Sequence, residues 1–114
     1  MRHYELMFVA DPRITDEDLV ALTEEYKEII TSAGAVIDKE ESLGIRRLAY
    51  PIEKLKEGKY VLLYIRAEVG VNPFPDVEQR LRQNEKVLRF LTVRTDREVE
   101  SVIGETKPAA GEEG

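Results

Sequence analysis

The chain has 114 residues, of which 42% are hydrophobic and 35% charged. That composition suits one two-layer domain with a modest core and speaks against a multidomain assembly. It contains no cysteine and carries a formal net charge of −6, which excludes disulfide frameworks and thiolate chemistry, fits a reducing, cytoplasmic compartment, and argues against a uniformly basic nucleic-acid binder.

No segment approaches the roughly 20 apolar residues of a membrane span, and the apolar run near the N-terminus is too short for a signal peptide. Residues 3–10 alternate as a strand, with Tyr4, Leu6 and Phe8 on one face and Glu5, Met7 and Val9 on the other. Both faces are largely apolar, so this strand is expected at the centre of a sheet. Thr15 is placed to N-cap a helix whose first turn holds Asp16, Glu17 and Asp18, acids suited to the positive end of the helix dipole. Leu19, Leu22, Tyr26, Ile29, Ile30 and Ala33 recur at three- and four-residue steps, and Gly34 is a natural residue to end the helix.

A second strand starts at 35–37, is polar through Asp38–Ser42, and runs into the stretch Leu43–Arg66, LGIRRLAYPIEKLKEGKYVLLYIR. Pro51 forbids a helix there and pushes Tyr50 into extended geometry. A hairpin is expected, with Lys54, Lys56, Glu57, Gly58 and Lys59 in a polar loop and Gly58 supplying a positive φ. The third strand, Tyr60–Val69, alternates Val61, Leu63, Ile65 and Ala67, expected to face the core, with Tyr60, Leu62, Tyr64 and Arg66 on an open face. Asn72 and Pro73 start a second helix to about Asn84 that buries Phe74, Val77 and Leu81. The fourth strand, Lys86–Thr95, sets Leu88, Phe90 and Thr92 against Val87, Arg89, Leu91 and Val93.

The order strand, helix, strand, strand, helix, strand predicts an α+β, ferredoxin-like split βαβ sandwich: four antiparallel strands in order 4-1-3-2 with both helices on one face. Residues 1–97 form the expected domain. Residues 98–114 form an acidic, mostly disordered tail, in which 98–104 are expected to add a few contacts and 105–114 are too poor in apolar side chains to order themselves.

Charge is segregated along the chain. Acids dominate residues 15–34 and 98–114, whereas Arg82, Lys86, Arg89, Arg94 and Arg97 meet only Glu85 and Asp96 between 81 and 97. Such segregation permits a polyanion on one side and water on the other. Catalytic chemistry finds no constellation: His3 is the lone histidine, and adjacent Glu40 and Glu41 point to opposite faces of a strand. No phosphate-cradling glycine loop occurs. An acylphosphatase needs a glycine-rich loop with an arginine after the first strand, whereas Asp11-Pro12-Arg13 offers the arginine with an acid in the way. The Gly-aromatic pattern of an RNA-recognition motif is missing around Tyr60 and Tyr64.

The start Met1-Arg2-His3-Tyr4-Glu5, the block Leu43-Gly44-Ile45-Arg46-Arg47-Leu48-Ala49-Tyr50-Pro51-Ile52, and Gly58 leading into an aromatic strand resemble the bacterial small-subunit ribosomal protein six family over about residues 1–97. The resemblance implies a non-enzymatic protein of the small ribosomal subunit, cytoplasmic and without cofactor, membrane or small-molecule substrate. It further implies binding to the central domain of the small-subunit ribosomal RNA beside small-subunit ribosomal protein eighteen, in support of assembly. Carried over position by position, Arg2, Tyr4, Arg89 and Arg94 match RNA-proximal positions. Lys86 and Arg97 extend that basic segment, and His3 lies beside it. Because the expected strand order makes the first and fourth strands neighbours, Arg2, Arg89 and Arg94 are expected to cluster at one sheet edge, with Arg89 and Arg94, five residues apart, on opposite faces and gripping RNA around that edge. Arg46, Arg47, Leu48, Tyr50, Tyr60, Leu62 and Tyr64 are assigned to the protein partner, with Arg46 or Arg47 alternatively touching phosphate and Leu48 and Tyr50 alternatively closing one end of the core. Glu53 and Asn72-Pro73-Phe74-Pro75 depart from the family pattern. The competing expectation is a ligand-sensing or oligomerising module that associates through the row Tyr60, Leu62, Tyr64.

Overall fold

The computed structural model describes residues 1–52, 55–95 and 101–102. Its elements are β1 (Arg2–Ala10), α1 (Asp16–Ser32), β2 (Val36–Ile52), β3 (Leu55–Ala67), α2 (Phe74–Gln83), β4 (Val87–Arg94) and β5 (Ser101–Val102). The sheet order is β2-β3-β1-β4-β5 with antiparallel pairings. The four-stranded ferredoxin-like arrangement expected from the sequence is therefore present. A short addition, β5, pairs Val102 with Val93 and Ser101 with Arg94, so the end of β4 is not a bare edge.

Local chemistry explains the helix limits. Thr15 accepts a hydrogen bond from the Asp18 amide at 3.1 Å, which satisfies one of the first-turn donors that have no partner within the helix. At the far end Gly34 has φ +101°; its amide donates to Thr31 O and the Ala35 amide to Ile30 O, the paired bonds of a Schellman cap. Leu19, Leu22, Tyr26 and Ile30 of α1 and Phe74, Val77 and Leu81 of α2 cover Tyr4, Leu6, Phe8, Val61, Leu63, Ile65 and Phe90 of the sheet. Ile29 is only partly buried and Ala33 is exposed, so the apolar stripe ends a turn earlier than its spacing suggested.

Strict alternation holds in β3: Val61, Leu63, Ile65 and Ala67 are buried, while Tyr60, Leu62, Tyr64 and Arg66 are half-buried on the helix-free face. β4 departs from the expected pattern. Its pairing with β1 slips between Val9 and Ala10, which face Arg89 and Val87 respectively. The inserted residue turns Leu88 away from Phe90 and onto the open face, where it packs with Val9, Leu48 and Tyr60 in a second small core, and Val87 joins the main core instead. A one-residue bulge reverses side-chain facing beyond it, and composition alone gives no sign of it.

The hairpin is longer and its connection tighter than expected. Ile52 pairs with Leu55, and Lys56, Glu57, Gly58 and Lys59 lie within β3 rather than in a loop. Gly58 does not have a positive φ; among the described residues the glycines that do are Gly34, Gly44 and Gly70. Its requirement is space: a Cβ there would sit 2.3 Å from Val9 Cγ1, 3.3 Å from Ala10 O and 3.5 Å from Leu48 Cδ2. Val9 is fully buried and β-branched, so it has little rotamer freedom to yield. Gly58→Ala is expected to cost about 1–3 kcal/mol by overpacking, read as a lower urea midpoint at unchanged slope; an unchanged midpoint would show that Val9 moves freely.

Candidate nucleic-acid interface

The first strand positions the basic side chains through its two neighbours. Tyr4 lies opposite Arg94 and Val9 opposite Arg89, five residues apart along β1, about 17 Å at the rise of a strand. Arg94 shares the helix-side face with Tyr4, whereas Arg89 lies with Val9 on the open face. The expected single cluster is therefore divided. Arg2, Tyr4 and Arg94 line one pocket together with Gly70, Val71, Asn72 and Phe74, and Arg89 lies at the other end and on the other side of the sheet. The physical reason is strand geometry: neighbouring strands bring residues together only at matching register. Lys86 is exposed beyond Arg89, where its carbonyl accepts from the Asp11 amide at 2.7 Å and its amide donates to Asn84 Oδ1 at 2.8 Å. It too stands apart from Arg2. His3 is exposed on the open face, and its carbonyl accepts from the Thr95 amide at 2.8 Å. Arg97 lies outside the described residues.

Of the partner-facing set, Arg46 and Arg47 are exposed on the hairpin, and Arg46 Nε donates to Leu43 O at 3.1 Å. Leu48 is buried in the small core against Val9 and Leu88, so it closes the open face and is not presented to a partner. The Tyr50 side chain lies outside the described residues. Tyr60, Leu62 and Tyr64 form one half-buried row on the open face, in register with Val9, Met7 and Glu5. Across β2, the Tyr64 hydroxyl donates to Glu41 at 2.9 Å and Lys39 Nζ stands 5.5 Å from its ring. This hydrogen bond holds the Glu41 carboxyl below its usual range and the Tyr64 phenol above its own.

The turn after β1 brings together the arginine and the acid expected to stand in its way. Arg13 donates from its backbone amide and Nε to Asp11 Oδ1 and from Nη2 to Oδ2 at 2.6 Å. The arginine that an acyl-phosphate site would need is thus held by a carboxylate. The side-chain hydrogen bond from Arg13 keeps the buried Asp11 carboxyl at about 2, below an ordinary aspartate. A depressed folded-state value stabilises the fold above the unfolded value near 4, and that contribution is lost as pH falls toward 2. Asp11→Asn is expected to flatten acid destabilisation by about 1–2 kcal/mol between pH 4 and 2, with the exposed Arg13 end screened by water; denaturant midpoints across that range check it.

Among the described residues there is no group of three or more His, Cys, Asp or Glu fit to hold a metal ion, and no helix is long and apolar enough to cross a membrane. Fold and side chains together define a ferredoxin-like α+β domain with cations at both ends of β4 on an acidic chain. The family model described as Ribosomal protein S6 matches residues 3–94, and on that match the chain belongs to the ribosomal protein S6 family. The small ribosomal subunit protein bS6 of Helicobacter acinonychis is 41% identical over 103 residues, 89% of this chain and 71% of that protein. The bS6 protein of Pelobacter propionicus is 37% identical over 108 residues, 95% of this chain and 82% of its own. A crystal structure of 30S ribosomal protein S6 from Thermotoga maritima superposes with a TM-score of 0.75 at 34% identity, covering 82% of this chain and 87% of that one. This is a family of small-subunit ribosomal proteins of the cytoplasm, not of enzymes.

Proposed function

We propose that this chain binds the central domain of the small-subunit ribosomal RNA along the β1–β4 side of its sheet, paired with small-subunit ribosomal protein eighteen, and so supports subunit assembly. The observation that carries the reading is the pairing of Arg2 and Arg94 beside Tyr4 in a chain whose net charge is −6. Arg89 and Lys86 extend the positive potential to the other end of β4. RNA lying along that edge meets guanidinium groups on both faces, which suits phosphate contacts more than base reading. Three to five neutralised phosphates correspond to a log-log salt slope of about −3 to −4.

The acids on the exposed back of α1, among them Glu17, Asp18, Glu24 and Glu28, repel nonspecific RNA and favour a basic protein partner. The docking face assigned to that partner is the row Tyr60, Leu62 and Tyr64, continued by the half-buried Met7 and Leu91. Leu62→Glu is expected to weaken pairing with the protein partner by about 10-fold or more through burial of an unpaired charge, while binding to RNA alone changes little. Titration of purified protein with the central-domain RNA fragment, with and without the partner, tests both halves. A homodimer in light scattering that has no affinity for the RNA would favour self-association through the same row.

A further inference from the structure

We infer that the acidic C-terminal segment, added as β5 to the outer edge of β4, is a built-in competitor for RNA on that edge, and that bound RNA displaces it. This deepens the RNA-binding reading above and rests on it. The sheet order β2-β3-β1-β4-β5 leaves β4 with β1 on one side and β5 on the other. Ser101 pairs with Arg94 and Val102 with Val93. An RNA strand drawn along the outer side of β4 therefore meets a segment of this same chain at Arg94, beside one of the cations that would hold it.

Charge makes that segment a stand-in for the ligand it excludes. Residues 98–114 hold Glu98, Glu100, Glu105, Glu112 and Glu113 against Lys107 alone, whereas Lys86, Arg89 and Arg94 lie along β4 and its approach. β5 runs antiparallel to β4, so its direction is from Arg94 toward Arg89. Glu105 follows Val102 by three residues, a span of at most about 11 Å of chain. Residues 95–100 tie β5 to β4, so the acids compete at the effective concentration of an intramolecular ligand. The hold is weak by construction. Two paired residues stand against the roughly five or six of an ordinary strand, and exposed ion pairs contribute little each. Such a competitor yields to a ligand that offers several phosphates at once and resists one that offers few.

The test is a titration of the full chain with the central-domain RNA fragment, wild type against a variant carrying Ser101→Pro and Val102→Pro together. Proline has no N–H, so whichever of the two amides donates to β4 is lost, while the charge of the chain is unchanged. The variant is expected to bind about 3- to 10-fold more tightly at low salt. Salt screens the acids from the arginines as well as the RNA, so the two affinities should converge as salt rises, the variant having the steeper slope. In isotopically labelled wild-type protein, the Ser101 and Val102 amide signals are expected to move to unpaired positions when RNA is added. Glu98→Gln with Glu100→Gln is expected to reproduce the gain in affinity. Glu17→Gln with Glu24→Gln on the back of α1, an equal change of net charge, should give less of it. RNA binding that leaves the Ser101 and Val102 signals in place, or a double-proline variant that binds no more tightly, overturns the competitor and leaves RNA binding by the chain intact. A double-proline variant that self-associates in light scattering without gaining RNA affinity overturns it too, and makes β5 a plain cover for a strand edge. Absence of RNA binding by wild type and variants alike overturns both the competitor and the function proposed above.

Discussion

Replacing Arg2, Arg89 and Arg94 together by alanine is expected to reduce affinity for the central-domain RNA fragment by about 10²- to 10³-fold, on the basis of about 1–1.5 kcal/mol for each charge-assisted phosphate contact. The salt slope should become shallower by about 1 per arginine. Arg89 is separated from the other two by face and by register along β1, so its effect should nearly add to theirs, whereas Arg2 and Arg94 line one pocket and couple. This distinguishes a strand gripped around an edge from a single anion pocket, where one substitution would account for most of the loss. Filter binding at three salt concentrations for the wild type, the three single variants and the triple variant provides the comparison. A triple variant no weaker than Arg2→Ala alone would assign the whole site to the pocket beside Tyr4.

Phe8→Ala is the second large effect, and it acts on the fold. Phe8 is fully buried at the centre of β1 and meets Tyr26 of α1 edge to face, with centroids 5.3 Å apart. Removing a buried aromatic side chain costs about 3–5 kcal/mol through lost transfer energy and the cavity left behind. Against a typical total of about 5–15 kcal/mol, that brings a domain of this size near the edge of folding. The loss appears as a lowered denaturant midpoint, and thermal unfolding should shift by tens of degrees. A shift of only a few degrees would mean that the helices close over the vacated space.

Much of the architecture could be read from side-chain periodicity. The alternation in Tyr60–Ala67 assigns both faces of β3 correctly because a two-residue period admits only one burial pattern. Thr15 and Gly34 mark the ends of α1 because capping chemistry is local. What escaped the sequence depends on register or on contacts between distant segments. Leu88 looked like a partner of Phe90 until the bulge opposite Val9 and Ala10 turned it over. Gly58 was read as a turn glycine, whereas its reason is the approach of Val9 from another strand.

The candidate site shows the same division. Strand order made Arg2 and Arg94 neighbours of Tyr4, and they are. The five-residue spacing of Arg89 and Arg94 already sets them on opposite faces, and register along β1 adds a separation along the strand that adjacency in strand order does not reveal. For Leu48, a residue of the family block, the sequence leaves a partner contact and a core position both open, and the structure shows the core position. A motif identifies a family without saying which of its residues face outward.

The central claim is that this chain is held on the small ribosomal subunit by phosphate contacts from Arg2, Arg89 and Arg94. The most direct measurement is sedimentation of tagged protein with small subunits across a salt series. Wild-type protein is expected to travel with the subunit at low salt and leave it as salt rises, with the triple alanine variant released earlier. Wild-type protein that stays in the free fraction at every salt concentration, or a triple variant that remains bound as tightly as the wild type, would contradict the account.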